Sequence, residues 1–210
     1  MLVLNKPIRV NKHVITVFRV LIHLTALLWL GLVYLDGLNG NLPGDPVQYL
    51  IEFSGKGAIN LLLICLVISP LAKQFKFAQL IKFRRTTGVY AALYAVFHLY
   101  IFISYELQFE WGLVFSEIIE RPYITVGFIT LSILLALAVT SPSTVKRKMG
   151  KHWQQLHNWV YPASILAIVH FWWSLKSEWS EPLVYLICLL LLLALRYKKL
   201  IPARRKTGNV

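Results

Sequence analysis

The stretch GKHWQQLHNWVYPASILAIVHFWWSLK (150–176) places His157 and His170 within one apolar segment of membrane length. A third histidine, His98, lies within another apolar run. An ionisable side chain is costly in hydrocarbon, so a histidine inside such a segment is expected to have a functional partner. These three residues therefore predict a membrane protein with a site in the interior of a helix bundle.

The composition of the chain fits this class. Of 210 residues, 57% are hydrophobic and only 15% are charged, and the mean hydropathy is +0.61. Windows of about 19 residues predict six spans, at 14–35, 57–71, 88–105, 123–140, 153–173 and 183–200. The apolar runs are continuous rather than alternating, which favours helices. We predict an all-α integral membrane protein, a six-helix bundle that forms one domain over residues 1–210.

The placement of charge predicts the orientation of the bundle. With six spans, 19 of the 22 basic residues fall on one side, whereas Lys56, Arg121, Lys176 and all nine acidic residues fall on the other. Positive charge marks the cytoplasmic side, so we expect a multi-pass protein of the bacterial inner membrane with both termini in the cytoplasm. The net charge of +13 is explained by topology and by anionic lipids rather than by nucleic acid.

Several motifs are missing from the sequence. It has two cysteines and no C-x-x-C-H motif, which excludes covalent attachment of c-type haem. It has neither a Gly-rich dinucleotide motif nor a P-loop. The first apolar run is too long for a cleavable signal, and no cleavage site follows it.

The histidines within the spans predict haem b. An iron porphyrin takes neutral imidazoles as axial ligands, and a helix bundle can supply them from facing helices. We estimate the depth of His98 as about 15 Å from the cytoplasmic start of its span. His170 lies towards the outside of the fifth span, so these two residues are predicted to hold an outer haem. For His98 alone, an interhelical hydrogen bond is the alternative.

A second, inner level is predicted from spacing along the same two spans. Arg84 precedes His98 by 14 residues and His157 precedes His170 by 13, about 20 Å along a helix in both cases. The inner haem would take His157, with Arg84 opposite. A guanidinium is a poor iron ligand, so Arg84 would pair with a haem propionate or limit access to the iron. Alternatively, Arg84 and Arg85 only anchor the helix at the cytoplasmic face.

Two further points concern the relative direction of the two histidines in the fifth span and the roles of the remaining histidines. In a straight helix His157 and His170 would be about 140° apart in azimuth, and we expect a kink at Pro162 to turn both inwards. His23 fits a ligand, a quinone contact or a packed polar group, and we favour the last two. His152 is expected to be solvated and His13 to be interfacial.

The stretch at 150–176 is similar to the fifth-span signature of the MsrQ family, also called YedZ. This family is the haem-binding membrane subunit of the bacterial MsrPQ methionine-sulfoxide reductase system, within the ferric-reductase-like transmembrane superfamily. Further matches occur in order along nearly the whole chain: GDPV (44–47), ISPLAK (68–73), RRTTGVYA (84–91) followed by His98, RPYITVG (121–127) and LALRYKKL (193–200).

The resemblance implies more than the spacing does. Members of the family carry electrons across the inner membrane to MsrP, a periplasmic molybdopterin enzyme that repairs oxidised methionine in envelope proteins. The electrons are thought to come from the quinone pool or from a cytosolic flavin reductase, and FMN is associated with the family. The family's haem histidines map onto His98, His157 and His170, and its inner-level arginine maps onto Arg84. One or two b haems are implied, with no substrate chemistry on this chain alone.

Two alternatives remain at this point. One is a ferric-reductase-like carrier that serves another acceptor. A ferric reductase or superoxide-generating oxidase would need a fused flavin–nucleotide domain, which we do not expect because only ten residues follow Leu200. The other alternative is a non-redox membrane scaffold or transporter whose histidines merely pack.

Overall fold

The computed structural model describes residues 10–175 and 178–196, which fold into helices joined by short turns. The α-helices are α1 (Lys12–Leu38), α2 (Pro46–Gln74), α3 (Phe83–Ile101), α4 (Trp111–Glu120), α5 (Pro122–Val139), α6 (Ser143–Met149), α7 (Lys151–His157), α8 (Val160–Ser174) and α9 (Ser180–Ala194). A 3-10 helix (Ala78–Lys82) precedes α3, and a turn of π-helix (Phe102–Glu106) extends it. The prediction of an all-helical protein is confirmed.

Among the described residues, four helical segments are long and apolar enough to cross a membrane: Lys12–Leu38, Pro46–Gln74, Ala78–Glu106 and Pro122–Val139. They correspond to the first four predicted spans. Helices α8 and α9 have 15 residues each, so each rises only about 22 Å against a hydrocarbon core of about 30 Å. The six-span count is therefore not confirmed, and the predicted span 183–200 ends outside the described residues.

The second span is longer than predicted. Helix α2 begins at Pro46, well before the predicted start at 57. Asp45 caps it, because its carboxylate accepts hydrogen bonds from the backbone N–H groups of Val47 (2.8 Å) and Gln48 (3.4 Å). Glu52 and Lys56 lower the hydropathy of the first turns, which is why a hydropathy window starts the span too late.

The fifth predicted span is interrupted at residues 158–159, one turn before Pro162, the residue at which the sequence predicted a kink. Helix α7 ends at His157 and α8 begins at Val160, so Pro162 lies in the first turn of α8. Proline has no N–H to bond the carbonyl of Asn158, which instead accepts from Tyr161 N–H at 3.2 Å. The proline thus fits the start of a helix, where its missing donor costs little.

The core forms where α2, α3, α5, α8 and α9 meet. Helix α2 packs most extensively along α3, and α5 packs along α8. Small residues from facing helices, such as Ala91 and Ala163, are fully buried beside Leu66 and Leu189. Small side chains allow close helix approach in membrane bundles, so this packing fixes the two helix pairs relative to each other.

A buried arginine joins α9 to this core. Pro70 lies inside α2 and leaves the carbonyl of Leu66 without its helical N–H partner. The guanidinium of Arg196 donates to that carbonyl and, at 2.8 Å, to the hydroxyl of Tyr161. The side chain is only 7% exposed, so Arg196 replaces the hydrogen bond that Pro70 removes.

We expect Arg196→Met to destabilise the protein by about 1–3 kcal/mol, because it leaves the buried Leu66 carbonyl without a donor. Thermal unfolding in detergent, followed by circular dichroism, measures the effect. The matched control is Arg85→Met, since Arg85 is exposed and should change stability by less than about 0.5 kcal/mol. Equal melting of the two variants would contradict this role for Arg196.

Candidate functional site

The structure brings His98 and His170 together at one end of the bundle. His98 lies near the end of α3 and His170 near the end of α8. Their ring centroids are 6.1 Å apart and the ring planes are almost perpendicular, at 87°. Two imidazoles that bind one metal from opposite sides have centroids roughly 6 Å apart, since each metal–nitrogen bond is about 2 Å. The separation matches a pair of axial haem ligands.

Hydrogen bonds set the tautomer of both rings. His98 Nδ1 lies 2.9 Å from the carbonyl oxygen of Ile51, and His170 Nδ1 lies 2.7 Å from that of Tyr123. A carbonyl only accepts, so Nδ1 is the donor in each neutral ring and Nε2 keeps a free lone pair. Metal-binding histidines are oriented in this way by a partner on the other ring nitrogen.

Each ring also lies against a glycine of the neighbouring helix. A Cβ added to Gly55 on α2 would be 3.1 Å from the His98 ring, and one added to Gly127 on α5 would be 2.8 Å from the His170 ring. Real Cβ atoms essentially never approach within 3.0 Å of such atoms. Glycine therefore makes room for the imidazole, most strictly at Gly127.

The two halves of this site repeat at a constant interval. The first half consists of a carbonyl from Ile51 and a glycine, Gly55, on α2, and of His98 on α3. Each of these residues has a counterpart with the same role 72 residues later. These counterparts are Tyr123, Gly127 and His170 on α5 and α8. Each half thus uses the same construction, in which one helix supplies a carbonyl and a glycine and the other supplies the histidine.

A cavity of about 400 Å³ adjoins both histidines and lies between the two helix pairs. Its walls are mainly apolar, with Ile59, Leu62, Leu99, Leu131, Leu134 and Phe171 among them. The volume lies in the range of small-molecule and cofactor sites, roughly 300–1,000 Å³. An apolar cavity between two facing imidazoles suits a flat, largely hydrophobic ligand.

Two cations lie along the rim of this cavity, Lys56 on α2 and Arg121 before α5. Lys56 Nζ pairs with Glu181 at 2.7 Å and Glu52 at 3.4 Å, and Arg121 Nε pairs with Glu117 at 2.8 Å. The hydrogen bond that Arg121 donates to the Tyr123 hydroxyl and the charge of Glu117 raise the pKa of Arg121. Both cations carry further N–H donors that could bind carboxylates.

These residues fit haem b. Within the described part of the chain, no group of three or more His, Cys, Asp or Glu side chains could hold a bare metal ion. A haem needs only two axial nitrogens, and His98 and His170 offer them with the tautomer that ligation requires. Lys56 and Arg121 would meet its propionates, and the apolar walls would cover the ring.

At the predicted inner level, the structure does not bring together a pair of histidines as it does at the outer level. Arg84 lies at the start of α3 and His157 at the end of α7, towards the end of the bundle away from His98 and His170. However, His157 Nε2 bonds the hydroxyl of Thr140 at 3.1 Å, and its ring stacks on Trp153 at 3.9 Å. Among the described residues, Arg84 Nε is buried without a hydrogen-bond partner. This N–H group could therefore donate to an anionic ligand. The inner haem stays a prediction.

The other histidines are held by protein groups. His23 Nδ1 lies 2.7 Å from the hydroxyl of Tyr90, which agrees with a packed polar group between α1 and α3. His152 is exposed and bonds Gln155 at 3.1 Å, as expected of a solvated residue. His13 is exposed at the start of α1.

Sequence reasoning missed the two glycines, the two carbonyls and the rim cations. A signal was present, because each of His98 and His170 follows a glycine by 43 residues. The carbonyls of Ile51 and Tyr123 carry no sequence signature, since every residue has one.

A second cavity, of about 830 Å³, opens between α1 and α2. Apolar and aromatic side chains such as Trp29 and Phe53 line it, together with Asn60 and Thr25. Glu52 and Lys56 line both cavities, so the two cavities adjoin at the same part of α2.

A family model described as the ferric reductase like transmembrane component matches residues 54–168. The match runs from the first turns of α2 into α8, and thus includes Gly55, His98, Gly127 and His157. No solved structure matches the chain.

Proposed function

Because this chain belongs to the ferric reductase-like transmembrane component family, and thus to a family of membrane electron-transfer proteins, we propose that it is a b-type cytochrome of the MsrQ type. In this proposal it carries electrons across the bacterial inner membrane to a periplasmic molybdopterin methionine-sulfoxide reductase, MsrP. The observation that carries the haem assignment is the facing pair His98 and His170, each with Nε2 free. The MsrQ assignment rests on the sequence motifs.

The chain's own residues have clear tasks in this proposal. Bound haem supplies reversible one-electron chemistry at its iron. Ile51 and Tyr123 hold the two imidazoles in the ligating tautomer through their carbonyls, which also raises the basicity of the ligand. Leu131, Phe171 and the other apolar wall residues keep water from the site, and exclusion of water is one of the factors that set a haem potential.

The proposed topology has six spans with both termini in the cytoplasm. It requires the interrupted α7–α8 segment (151–174) to act as the fifth span and α9 to begin the sixth. In that arrangement α3 and α8 both finish on the periplasmic side, where α2 and α5 begin. The His98–His170 site would then lie in the periplasmic half of the bilayer, close to an acceptor such as MsrP.

The cytoplasmic half would hold the entry point for electrons. Arg84 and His157 are proposed to hold a second haem there, with His157 as an axial ligand and Arg84 as the partner of a propionate. The donor is proposed to be the quinone pool or a cytosolic flavin reductase, and FMN is a further candidate cofactor.

A reduced-minus-oxidised absorption spectrum of the detergent-purified protein, with haem quantified per chain, tests the proposal. We expect a b-type spectrum and about two haems per chain. His157→Ala should lose one of the two and keep the other, because His98 and His170 do not touch His157. One haem per chain in both proteins would remove the inner site, and well-folded colourless protein would overturn the haem assignment altogether.

The acceptor is tested separately from the haem. Chemically reduced protein should be reoxidised by an MsrP-type reductase only when methionine sulfoxide is present. If the haem is found but this reoxidation fails, the chain is an electron carrier that serves another acceptor.

A further inference from the structure

The connection between α3 and α5 contains an amphipathic helix, α4 (Trp111–Glu120), where an outer loop was expected. At 100° per residue, the apolar side chains Val114, Ile118, Trp111, Phe115 and Ile119 follow one another around an arc of about 140°. Ser116, Glu117 and Glu120 fall on the opposite side of the helix, together with one apolar residue, Leu113. The sequence therefore gives α4 one continuous apolar face and one face that is mainly polar and acidic.

The described residues of the protein cover only one edge of the apolar face. Val114 is buried, and Ile118 is half-buried where it lines the cavity beside His98 and His170. By contrast, Trp111 is 60% exposed, Phe115 64% and Ile119 77%. Three large apolar side chains thus continue the face beyond the part that the protein covers.

The position of α4 in the fold indicates what kind of surroundings these exposed side chains have. Helix α4 connects two of the membrane-length segments, and only Arg121 separates it from α5. Arg121 has extended backbone angles (φ −108°, ψ 101°), so the chain turns sharply there and α4 does not continue the axis of α5. The hydroxyl of Thr125 donates to the carbonyl of Ile118, which holds the end of α4 beside the first turn of α5.

Exposed apolar side chains also occur on α5, the membrane-length helix that follows α4. Phe128 and Ile129, one to two turns into α5, are also 44% and 46% exposed, as expected of side chains in contact with lipid. Phe109 lies beside Trp111, with ring centroids 6.5 Å apart. Aromatic rings are enriched at the boundary between acyl chains and headgroups.

From this placement we infer that α4 is an interfacial helix whose apolar face, formed by Trp111, Phe115 and Ile119, binds the surface of the lipid bilayer. Glu120 is exposed on the opposite side of the helix and faces the water, whereas Glu117 is paired with Arg121. A helix of this kind lies in the membrane plane, with its apolar face buried roughly 5–10 Å into the boundary region. Since Ile118 lines the cavity, the bilayer surface and the opening of the cavity lie at the same level.

Nitroxide labels on the full-length protein in lipid nanodiscs test this inference. Cys188 is exposed and Cys65 is buried, so Cys188→Ser gives a background for labelling at one introduced cysteine. Phe115→Cys reports on the apolar face, and Glu120→Cys, about 140° away on the same helix, is the matched control. We expect the label at 115 to be several-fold more accessible to dissolved oxygen than to a water-soluble nickel chelate, and the label at 120 to show the reverse.

Two results would overturn the inference. Equal accessibility of both labels to the nickel chelate would place the apolar face in water. Protection of the label at 115 from both relaxants would mean that protein, such as a second copy of the chain, covers the face. Ile119→Cys is a second variant on the same face, and because Ile119 is 77% exposed its replacement leaves the packing intact. Neither reading depends on haem content, so the result is independent of the proposed function.

Discussion

Replacement of either His98 or His170 by alanine is expected to remove the same haem, one per chain, and to leave the other. The two imidazoles face each other at 6.1 Å between ring centroids, so each variant deprives one iron of one axial ligand. Haem quantification and the reduced-minus-oxidised spectrum measure the loss, and the double variant should lose no more haem than either single variant. When two residues act as one unit, the effects of replacing each of them do not add up in the double variant.

Two comparisons separate loss of a ligand from loss of fold. His152→Ala is the matched control, because His152 is exposed and bonds only Gln155, and it should keep all the haem. Added imidazole should restore haem binding to His98→Ala or His170→Ala, since the alanine leaves space for it. If the two variants lost different amounts of haem, or if His152→Ala lost as much, the shared axial pair would be wrong.

The second large effect is expected from a single methyl group. In Gly127→Ala the new Cβ would lie 2.8 Å from the His170 ring, which is closer than real Cβ contacts allow. The ring or α5 must move, and such overpacking typically costs about 1–3 kcal/mol. We expect haem affinity to fall roughly tenfold, since 1.4 kcal/mol is one factor of ten. Titration of haem into the apoprotein measures the affinity.

Other glycines provide the controls for this prediction. Gly55→Ala should have a smaller effect, because its Cβ would be 3.1 Å from the His98 ring rather than 2.8 Å. Gly31 lies within α1 with nothing within 4 Å of an added Cβ. Gly31→Ala should therefore leave haem affinity unchanged and add up to about 1 kcal/mol of helix stability. Unchanged affinity in Gly127→Ala would show that the close approach has no role in ligation.

Hydropathy predicted the helical class and the first four membrane segments because long apolar runs have few other solutions in a bilayer. Hydropathy misplaced the start of a helix where charged side chains are paired with one another in the folded protein. Lys56 lowers the hydropathy of the first turns of α2, yet it is neutralised by Glu52 and Glu181, and no window can anticipate a partner 125 residues away. Likewise α4 is too short for a membrane window, and its periodicity was hidden between charged residues.

The sequence predicted the histidines of the site but not the groups that orient them, for physical reasons. The pairing of His98 with His170 remains a predicted ligand set, and their proximity supports it, because helical rise alone placed them at one depth. What orients them could not be read from the sequence, since Ile51 and Tyr123 act through backbone carbonyls. The interruption expected at Pro162 lies one turn earlier, at Asn158 and Trp159, because the missing N–H of a proline affects the carbonyl four residues before it.

The recurrence of the same construction after 72 residues has a consequence for how the protein is assembled in the membrane. The carbonyl and the glycine that orient His98 belong to the helix paired with its own, and the same holds for His170. Each helix pair can therefore preset its ligand before it meets the other pair. In the proposed cytochrome, haem binding would then join two helix pairs, each of which has already oriented its ligand.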